Sequence, residues 1–282
     1  VAQSGYVPNR AGGTANSVDR PSADTPIPAY FQDSYKEYLR QKAAAKGGIA
    51  YSKTDYHKMP DWTGIWTRDP DILANAAGLK FDSKQPGSMA EGRITAELTP
   101  RYEEAYREKL RQVAVGNEWD QLSDCVPASY PRWLTEPFLR EFVVTPDEVW
   151  WINEEQSDVR RIFTDGRGHV PEGEARQFWN GESIGFWDGD TLVVHTIRVK
   201  HGQYERSQPD YSVLTSTVER IRKVSADVIE DDVTVWDPLG LVKPWRAVQR
   251  FNRIKTTGAR IDMWSCAESN NIIRTPQGGT QL

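Results

Sequence analysis

The chain has 282 residues and a formal net charge of −5, and 38% of its residues are hydrophobic, including 11 tryptophans. This is enough apolar material for a sizeable core. The acidic balance and the lack of a basic run argue against nucleic acid as a partner, because neutralising phosphates takes clustered lysine and arginine. No stretch approaches the roughly 20 apolar residues that cross a bilayer, so we expect no membrane span.

Two features of the sequence concern the cell compartment. The sequence begins Val1-Ala2-Gln3, which predicts that a signal peptide has been removed and that the protein is periplasmic or secreted; an artificially trimmed chain would begin in the same way. Cys125 and Cys266 are the only cysteines and lack zinc-type spacing. In an oxidising compartment these two cysteines have one possible intramolecular pairing, so we expect a disulfide between them. We expect no metal and no other cofactor.

Residues 1–28 form an N-terminal arm rich in Gly, Ser, Ala, Asn and Pro. This composition is typical of a disordered tail, because such a segment buries too little apolar surface to offset the entropy of ordering it. Contacts with a preformed groove would supply the burial that orders the arm. We therefore predict a homo-oligomer that exchanges its arms, and an arm folded over its own barrel is the alternative.

Two amphipathic helices are predicted in residues 29–120, an N-terminal segment that packs on the following domain. The first carries the aromatic stripe Phe31, Tyr35 and Tyr38 and ends before Gly47-Gly48. A short strand is expected near residues 61–66. The second helix begins with Thr99 as N-cap and Pro100 at its first position, and it ends at Gly116.

The patterns in residues 121–282 predict a β domain. Strand patterns fall at 140–144, 148–154, 158–164, 182–187, 191–199, 214–224, 228–236, 245–254 and 260–267. Turn signals separate them and no helical pattern intervenes. These strands predict an antiparallel meander that closes into a lipocalin-like or calycin-like barrel, with a two-sheet sandwich as the alternative.

The stretch Gly181–Thr196, which we call the central hairpin, is the most informative part of the sequence. If Asp188 and Gly189 form a type I′ turn, Glu182 lies directly opposite His195. A carboxylate and an imidazole among apolar neighbours tune each other's proton affinity, which suits acid–base catalysis. A purely structural hydrogen-bonded pair is the alternative.

Side-chain alternation divides the central hairpin into two faces. One face carries Glu182, Ile184, Phe186, Thr191, Val193, His195 and Ile197, and the other carries Ser183, Gly185, Trp187, Leu192 and Val194. Both faces are mainly apolar, so both must be covered. We expect the face with Trp187, Leu192 and Val194 to point out of the barrel, beneath the arm or a neighbouring subunit.

Two further groups are candidate ligand contacts. Asp165-Gly166-Arg167-Gly168-His169 is a turn followed by a cation and an imidazole, which at a barrel mouth would hold an anionic or phenolic group; a solvated turn is the alternative. Alternation also places Arg220 and Arg222 on one face of a strand and Glu219 on the other. Arginines on the outside of the barrel in ion pairs are favoured over arginines in the interior.

Five stretches of the chain match one recurring sequence pattern: Val159–His169, the central hairpin, Val218–Arg220, Asp237–Trp245 and Cys266–Asn271. The pattern reads roughly RRIYTDGRxHP, GHSIGRWEGDTLVVDT, VERxRR, DDPxxxTKPW and EYxCxENN. In these stretches the chain resembles a family of uncharacterised secreted proteins from proteobacteria and acidobacteria. The resemblance spans about residues 98–271, and the central hairpin is its most specific part.

The departures from this pattern bear on the site. Glu182 stands where the family tends to have His, and His195 stands where it tends to have Asp, so the pair is retained with its partners exchanged. Phe186 replaces a usual Arg, and Tyr211 falls where a His is common. The comparison with the family therefore implies a more aromatic pocket and a specialised substrate, but it gives no reaction.

From these residues we expect a secreted barrel enzyme that moves protons on a small apolar or aromatic substrate without a cofactor: a lyase, isomerase, cyclase or hydratase. His195 would be the general acid or base, Glu182 its orienting partner, and Tyr211 or Arg167 an oxyanion contact. The other expected substrate contacts are Asp165, His169, Phe186 and Arg220. The competing hypothesis is a lipocalin-like protein that binds a small hydrophobic ligand.

Overall fold

A computed structural model describes residues 21–68, 96–205, 208–262, 264, 266, 273–274 and 280–281. Most of the predicted arm, residues 1–20, therefore lies outside the described residues. So do residues 69–95, between the first strand and the second predicted helix.

Both predicted helices are confirmed, as α1 (Gln32–Ala44) and α2 (Pro100–Ala114). After α1 the chain turns through Gly47 and Gly48, whose φ angles of 94° and 83° suit glycine. Thr99 stands at the N-cap position of α2, but its hydroxyl donates to the Leu239 carbonyl at 2.6 Å instead of capping the helix. In the described ranges, neither helix is both long and apolar enough to cross a membrane.

The described strands are mostly those that the sequence predicts. Their bounds are β1 (Ile65–Arg68), β2 (Arg140–Val144), β3 (Glu148–Asn153), β4 (Asp158–Phe163), β5 (Glu182–Asp188), β6 (Thr191–Ile197), β7 (Gly202–Gln203), β8 (Asp210–Tyr211), β9 (Ser216–Ser225), β10 (Val228–Trp236), β11 (Trp245–Arg253), β12 (Ile273–Arg274) and β13 (Thr280–Gln281). Nine of them close into a barrel in the order β1-β11-β10-β9-β6-β5-β4-β3-β2. In the predicted strand at 260–267, the residues that the structure describes are irregular.

One strand pair departs from the predicted antiparallel meander. β4 and β5 are parallel, with Ile162 opposite Ser183 and Phe163 opposite Ile184. A parallel pair needs a long crossover, and residues 164–181 provide it. The wholly antiparallel prediction is wrong here because Asp165-Gly166 opens this crossover instead of joining two neighbouring strands. As a consequence, the crossover carries His169 across the outside of β5 and β6.

The register of the central hairpin also differs from the prediction. Asp188 pairs with Thr191, so the two loop residues are Gly189 and Asp190. Glu182 therefore lies opposite Ile197, and the predicted direct pairing of Glu182 with His195 is wrong. The shift is an even number of residues, and for that reason every side chain keeps its predicted face.

The interior of the barrel is filled by a core to which the barrel strands contribute. Its fully buried members include Trp66, Val149, Trp151, Ile162, Leu192, Val194, Ile221, Ile229 and Phe251. Trp187, Leu192 and Val194 belong to this core, so the prediction that their face points outward is wrong. The opposite face of the central hairpin lies outside the barrel, where Ile184, Phe186 and Val193 pack against Tyr38 of α1.

Charged residues of β9 divide between the two sides of the barrel wall. Arg220 pairs with Asp188 at 3.0 Å and Arg222 with Glu230 at 3.0 Å, both on the outside, which confirms the predicted exterior ion pairs. Glu219 points inward and holds Arg160 in a fully buried ion pair. The interior therefore contains a polar cluster around this buried pair.

The predicted disulfide between Cys125 and Cys266 is present, with the two Cα atoms 5.6 Å apart. It ties the segment after α2 to the chain beyond the last barrel strand. In the chain-entropy treatment, closing so long a loop stabilises the fold by on the order of 4–5 kcal/mol before native strain is subtracted.

The described part of the arm folds over its own barrel. Gly168 donates its amide to the Pro21 carbonyl at 3.0 Å, and Ile27 is buried against Phe31 and Ile197. Any exchange of arms between subunits would therefore involve residues 1–20.

We still expect light scattering to give at least twice the chain mass of 32.0 kDa, and a shorter chain lacking residues 1–20 to give a lower oligomer. A full-length monomer would contradict the predicted assembly.

Candidate functional site

Four side chains from separate segments of the chain form one hydrogen-bonded row, which we call the relay. Glu182 comes from the first residue of β5 and His195 from β6. His169 comes from the crossover between β4 and β5, and Ser34 from the first turn of α1. The relay lies outside the barrel wall, beneath α1. Both histidines are fully buried, and Ser34 is 1% exposed.

The relay is continuous from carboxylate to hydroxyl. Glu182 Oε1 lies 3.1 Å from His169 Nδ1, and His169 Nε2 lies 2.8 Å from His195 Nδ1. His195 Nε2 lies 2.9 Å from Ser34 Oγ, which in turn donates to the Phe31 carbonyl at 3.0 Å. These distances are all in the hydrogen-bonding range.

The carboxylate sets the direction of these hydrogen bonds. An ionised Glu182 only accepts, so His169 Nδ1 must donate, and a neutral His169 then accepts at Nε2. His195 must accordingly donate from Nδ1, which leaves the lone pair of its Nε2 directed at Ser34. The single hydroxyl proton of Ser34 has two acceptors, Phe31 O and His195 Nε2. In the neutral relay it cannot satisfy both.

One added proton removes this conflict. His169 as an imidazolium donates to both Glu182 and His195, and His195 then donates from Nε2 to Ser34. Ser34 is free to donate to Phe31 in this state. The relay thus has two fully defined states that differ by one proton and by the direction of two hydrogen bonds.

The surroundings favour the neutral state. Burial lowers the pKa of His169, although the Glu182 carboxylate acts in the opposite direction. Burial, and then the neighbouring His169, lower the pKa of His195 well below its ordinary value of 6.5. Burial alone would raise the pKa of Glu182, but its hydrogen bonds with His169, the Val170 amide and Arg198 hold that pKa below the ordinary range.

Arg198 fixes the acidic end of the relay. Its Nη1 lies 2.5 Å from Glu182 Oε2, and its Nη2 lies 3.1 Å from Glu172 Oε2. The Val170 amide also donates to Glu182 Oε1, at 2.6 Å. With three donors around it, Glu182 stays ionised and orients His169.

Aromatic rings enclose the other end. The rings of Tyr35 and Tyr38 lie 5.3 and 5.6 Å from that of His195, centroid to centroid. Phe186 meets Tyr38 edge to face at 5.4 Å. Tyr35 is only half-buried, and its hydroxyl reaches the Ala23 carbonyl of the arm at 3.3 Å. Three aromatic rings therefore form one wall of the site.

A cleft of about 190 Å³ lies next to this wall, with Phe186 in its lining. It runs between the chain after α1 and the beginning of the crossover. The remaining lining residues are Lys42, Gly47, Gly48, Ile49, Ala50, Tyr51, Pro146, Asp147, Thr164, Asp165, Gly166 and Gly185. Phe186 and Asp165, two of the expected substrate contacts, thus line one cleft.

The other predicted site residues are scattered. Arg167 closes a local ion pair with Asp165 at 2.7 Å and stacks on Phe163. Tyr211 lies in the main core, where its hydroxyl meets Ser129, so the structure does not bring it to His195. Arg220 faces outward beside α1. The relay therefore unites Glu182, His195 and His169, and it inserts His169 where the sequence predicts direct contact.

Sequence reasoning did not identify Ser34 or Arg198 as members of the site. A signal for Ser34 was present, because residues 31, 34, 35 and 38 share one face of a helix and Ser34 is the polar residue among three aromatics. Arg198 carries no comparable signal. It has a φ of 59° just after β6, and its partner Glu172 lies on the crossover.

A second buried titratable cluster lies just after β7. Burial, with Glu136 and Asp120 adding to it and Arg68 and Arg132 opposing it, raises the pKa of Glu205 to about 7. Arg132 is held by Asp120 at 2.7 Å and by Glu136. These contacts anchor the segment between α2 and the barrel, and we assign this cluster to stability.

A Glu205→Gln protein should therefore be more stable than the wild type at pH 8 and similar to it at pH 5. The folded protein holds the Glu205 proton more tightly than the unfolded chain, so the wild type loses stability as the pH rises towards and through 7. At about 1.4 kcal/mol per pKa unit, the rise from 4.5 to about 7 makes the difference at pH 8 at most about 3–4 kcal/mol. Urea unfolding at both pH values measures it. Glu104→Gln, at a side chain that is 68% exposed, is the control, and equal stability of the wild type and Glu205→Gln at pH 8 would contradict the prediction.

No protein-family model matches the chain, and no curated protein is significantly similar to it. Among the described residues, no three His, Cys, Asp or Glu side chains are grouped so as to hold a metal ion.

Proposed function

We propose that the protein is an enzyme that moves a proton on a small apolar or aromatic substrate, with His195 as the general base and acid. The observation that carries this proposal is the unbroken row Glu182–His169–His195–Ser34. A buried neutral imidazole that is oriented through a second imidazole by a carboxylate, and that points its lone pair at a hydroxyl, is an arrangement suited to proton abstraction.

In the first half of the reaction, every proton transfer runs from the substrate towards Glu182. Ser34 takes a proton from the substrate as its own hydroxyl proton passes to His195 Nε2. His195 hands its Nδ1 proton to His169 Nε2, so the positive charge ends on His169 beside the Glu182 carboxylate. Reversal of these steps returns a proton to a different atom of the substrate. The net result is an isomerisation, or an elimination or addition if a group leaves or enters.

The substrate class follows from the walls of the site. Tyr35, Tyr38 and Phe186 offer aromatic surfaces, and rings pack against such surfaces in stacked or edge-to-face geometry. The cleft lined by Phe186 has room for a small molecule. We propose that the substrate packs against Phe186 in this cleft while its reacting atom lies at Ser34.

We take the barrel to be lipocalin-like or calycin-like in character, with the parallel β4–β5 pair as its departure from that plan. We take the protein to be secreted or periplasmic, and the disulfide between Cys125 and Cys266 supports an oxidising compartment.

A small-molecule binding role is the second candidate. One observation favours it: a cavity at the barrel end has Tyr204 and Gln249 in its lining, and each carries a buried polar atom without a hydrogen-bond partner among the described residues. The cavity measures only about 20 Å³, which holds one water molecule but no organic ligand. We therefore prefer the enzyme.

Proton exchange in heavy water tests the proposed function even while the product is unidentified. Wild-type and His195→Gln proteins are incubated with a panel of small aromatic ketones, aldehydes and unsaturated acids, and proton NMR follows the loss of substrate C–H signals. We expect wild-type protein to exchange at least one compound and His195→Gln to leave it unchanged. Equal exchange by the two proteins, or none by the wild type over the whole panel, would contradict the proposal.

A further inference from the structure

Residues 21–28, which we call the strap, cross the outside of the barrel next to the relay. Several contacts hold the strap. Its Pro21 carbonyl accepts the Gly168 amide at 3.0 Å, its Ala23 carbonyl accepts the Tyr35 hydroxyl, and its Ile27 side chain is 6% exposed. The first two contacts go to immediate neighbours of the relay, since Gly168 precedes His169 and Tyr35 follows Ser34. Gln32 Nε2 also donates to the Ile27 carbonyl, at 2.9 Å.

The contact at Gly168 depends on the absence of a side chain. A Cβ at this position would overlap the Ser22 carbonyl oxygen and lie 3.2 Å from Ala23 Cα. The Gly168 backbone is not in the left-handed region, so its φ angle does not require glycine. What requires glycine here is the close passage of the strap.

The strap is also a weakly held element. Apart from Ile27, its residues are small, polar or proline, and residues 22–24 are exposed. Segments with few buried apolar contacts open locally at low free energy. Tyr35, which the strap holds by its hydroxyl, is the half-buried ring beside the otherwise buried pair of histidines.

We propose that the strap is a lid over the relay, and that its opening, together with Tyr35, admits the substrate to Ser34 and His195. This inference rests on the proposed function for its purpose, but the lid itself is a property of the fold. Closed, the strap keeps water from a site whose histidines work in their neutral form. Open, it exposes the relay at the side that faces Tyr35.

Chemical modification of the histidines tests the lid directly. Diethyl pyrocarbonate acylates neutral imidazoles that solvent can reach, and mass spectrometry of peptides assigns the modified residue. Gly168→Ala should displace the strap and speed the modification of His169 or His195 by about tenfold or more. Gly173→Ala is the matched control, because this glycine lies on the same crossover without a positive φ, and an added Cβ would meet no described atom within 4 Å.

Ile27→Ala should loosen the lid in a second way, because it removes the buried contact of the strap with Phe31 and Ile197. His201, whose side chain is 58% exposed, serves as the internal reference for reagent strength, and thermal unfolding shows that each variant is folded. Faster modification in both folded variants supports the lid. Unchanged modification in folded Gly168→Ala and Ile27→Ala overturns it, whatever the proton-exchange panel shows, so the two proposals fail separately.

Discussion

A His195→Gln protein should lose turnover by a factor on the order of 10²–10⁴ while it keeps its fold. Glutamine fills much of the same space and still offers hydrogen bonds, but it cannot take a proton from Ser34. Steady-state kinetics on a substrate found by the exchange panel measures the loss. His201→Gln, at an exposed histidine outside the relay, is the control and should turn over normally. Full activity in a folded His195→Gln protein would exclude this residue as the base.

The pH profile gives an independent view of the same residue. Burial and His169 lower the pKa of His195 well below 6.5, so the base is already neutral at pH 7. Wild-type kcat/KM should therefore be flat above about pH 6.5 and fall only in acid, as the relay takes up its extra proton.

Glu182→Gln should move that acid limb to lower pH. The Glu182 carboxylate acts to raise the pKa of His169, so its removal makes the imidazolium less stable and lowers the apparent pKa of the relay further. Titration of the histidine ring signals by NMR measures the change. Histidine titrations that are identical in wild-type and Glu182→Gln proteins would show that the carboxylate does not act on the relay.

Local patterns in the sequence predict most of the helices and strands but not how paired strands are aligned. Alternation correctly groups Glu182, Phe186 and His195 on one face, because the period of a strand is two. The Asp188-Gly189-Asp190 stretch allows two adjacent two-residue loops, and nothing local chooses Gly189-Asp190. The predicted register places His195 directly opposite Glu182 and leaves no space between them. In the structure Ile197 lies opposite Glu182, and His169 bridges Glu182 and His195.

Long-range packing accounts for the rest. Whether Trp187 or Phe186 faces the barrel interior depends on how nine strands close, and both faces of the hairpin are apolar. The position of α1 over β6 brings Ser34 to His195, although 161 positions separate them in the chain. Contacts of this range depend on the whole topology, which is why the relay was predicted only in part.

The largest effect on stability is expected inside the barrel. Glu219→Ala should lower the free energy of unfolding by about 3–5 kcal/mol, because it leaves the buried Arg160 guanidinium without a counter-charge. Arg160 Nη1 lies 2.9 Å from Glu219 Oε1, and the Tyr130 ring lies 3.9 Å from the guanidinium. Burial, which the Glu219→Ala protein keeps, is the main cause that raises the pKa of Asp231, so this carboxyl group is a poor replacement for the lost charge.

Matched variants separate the loss of the pair from a general loss of packing. Arg222→Ala, on the same strand but 56% exposed and paired with Glu230 on the surface, should cost less than about 1 kcal/mol. An Arg160→Met, Glu219→Leu double variant removes both charges and should recover most of the stability that Glu219→Ala loses. Urea unfolding at pH 7 compares the three proteins. If Glu219→Ala costs no more than Arg222→Ala, or if the double variant is the least stable of the set, the uncompensated charge is not the cause.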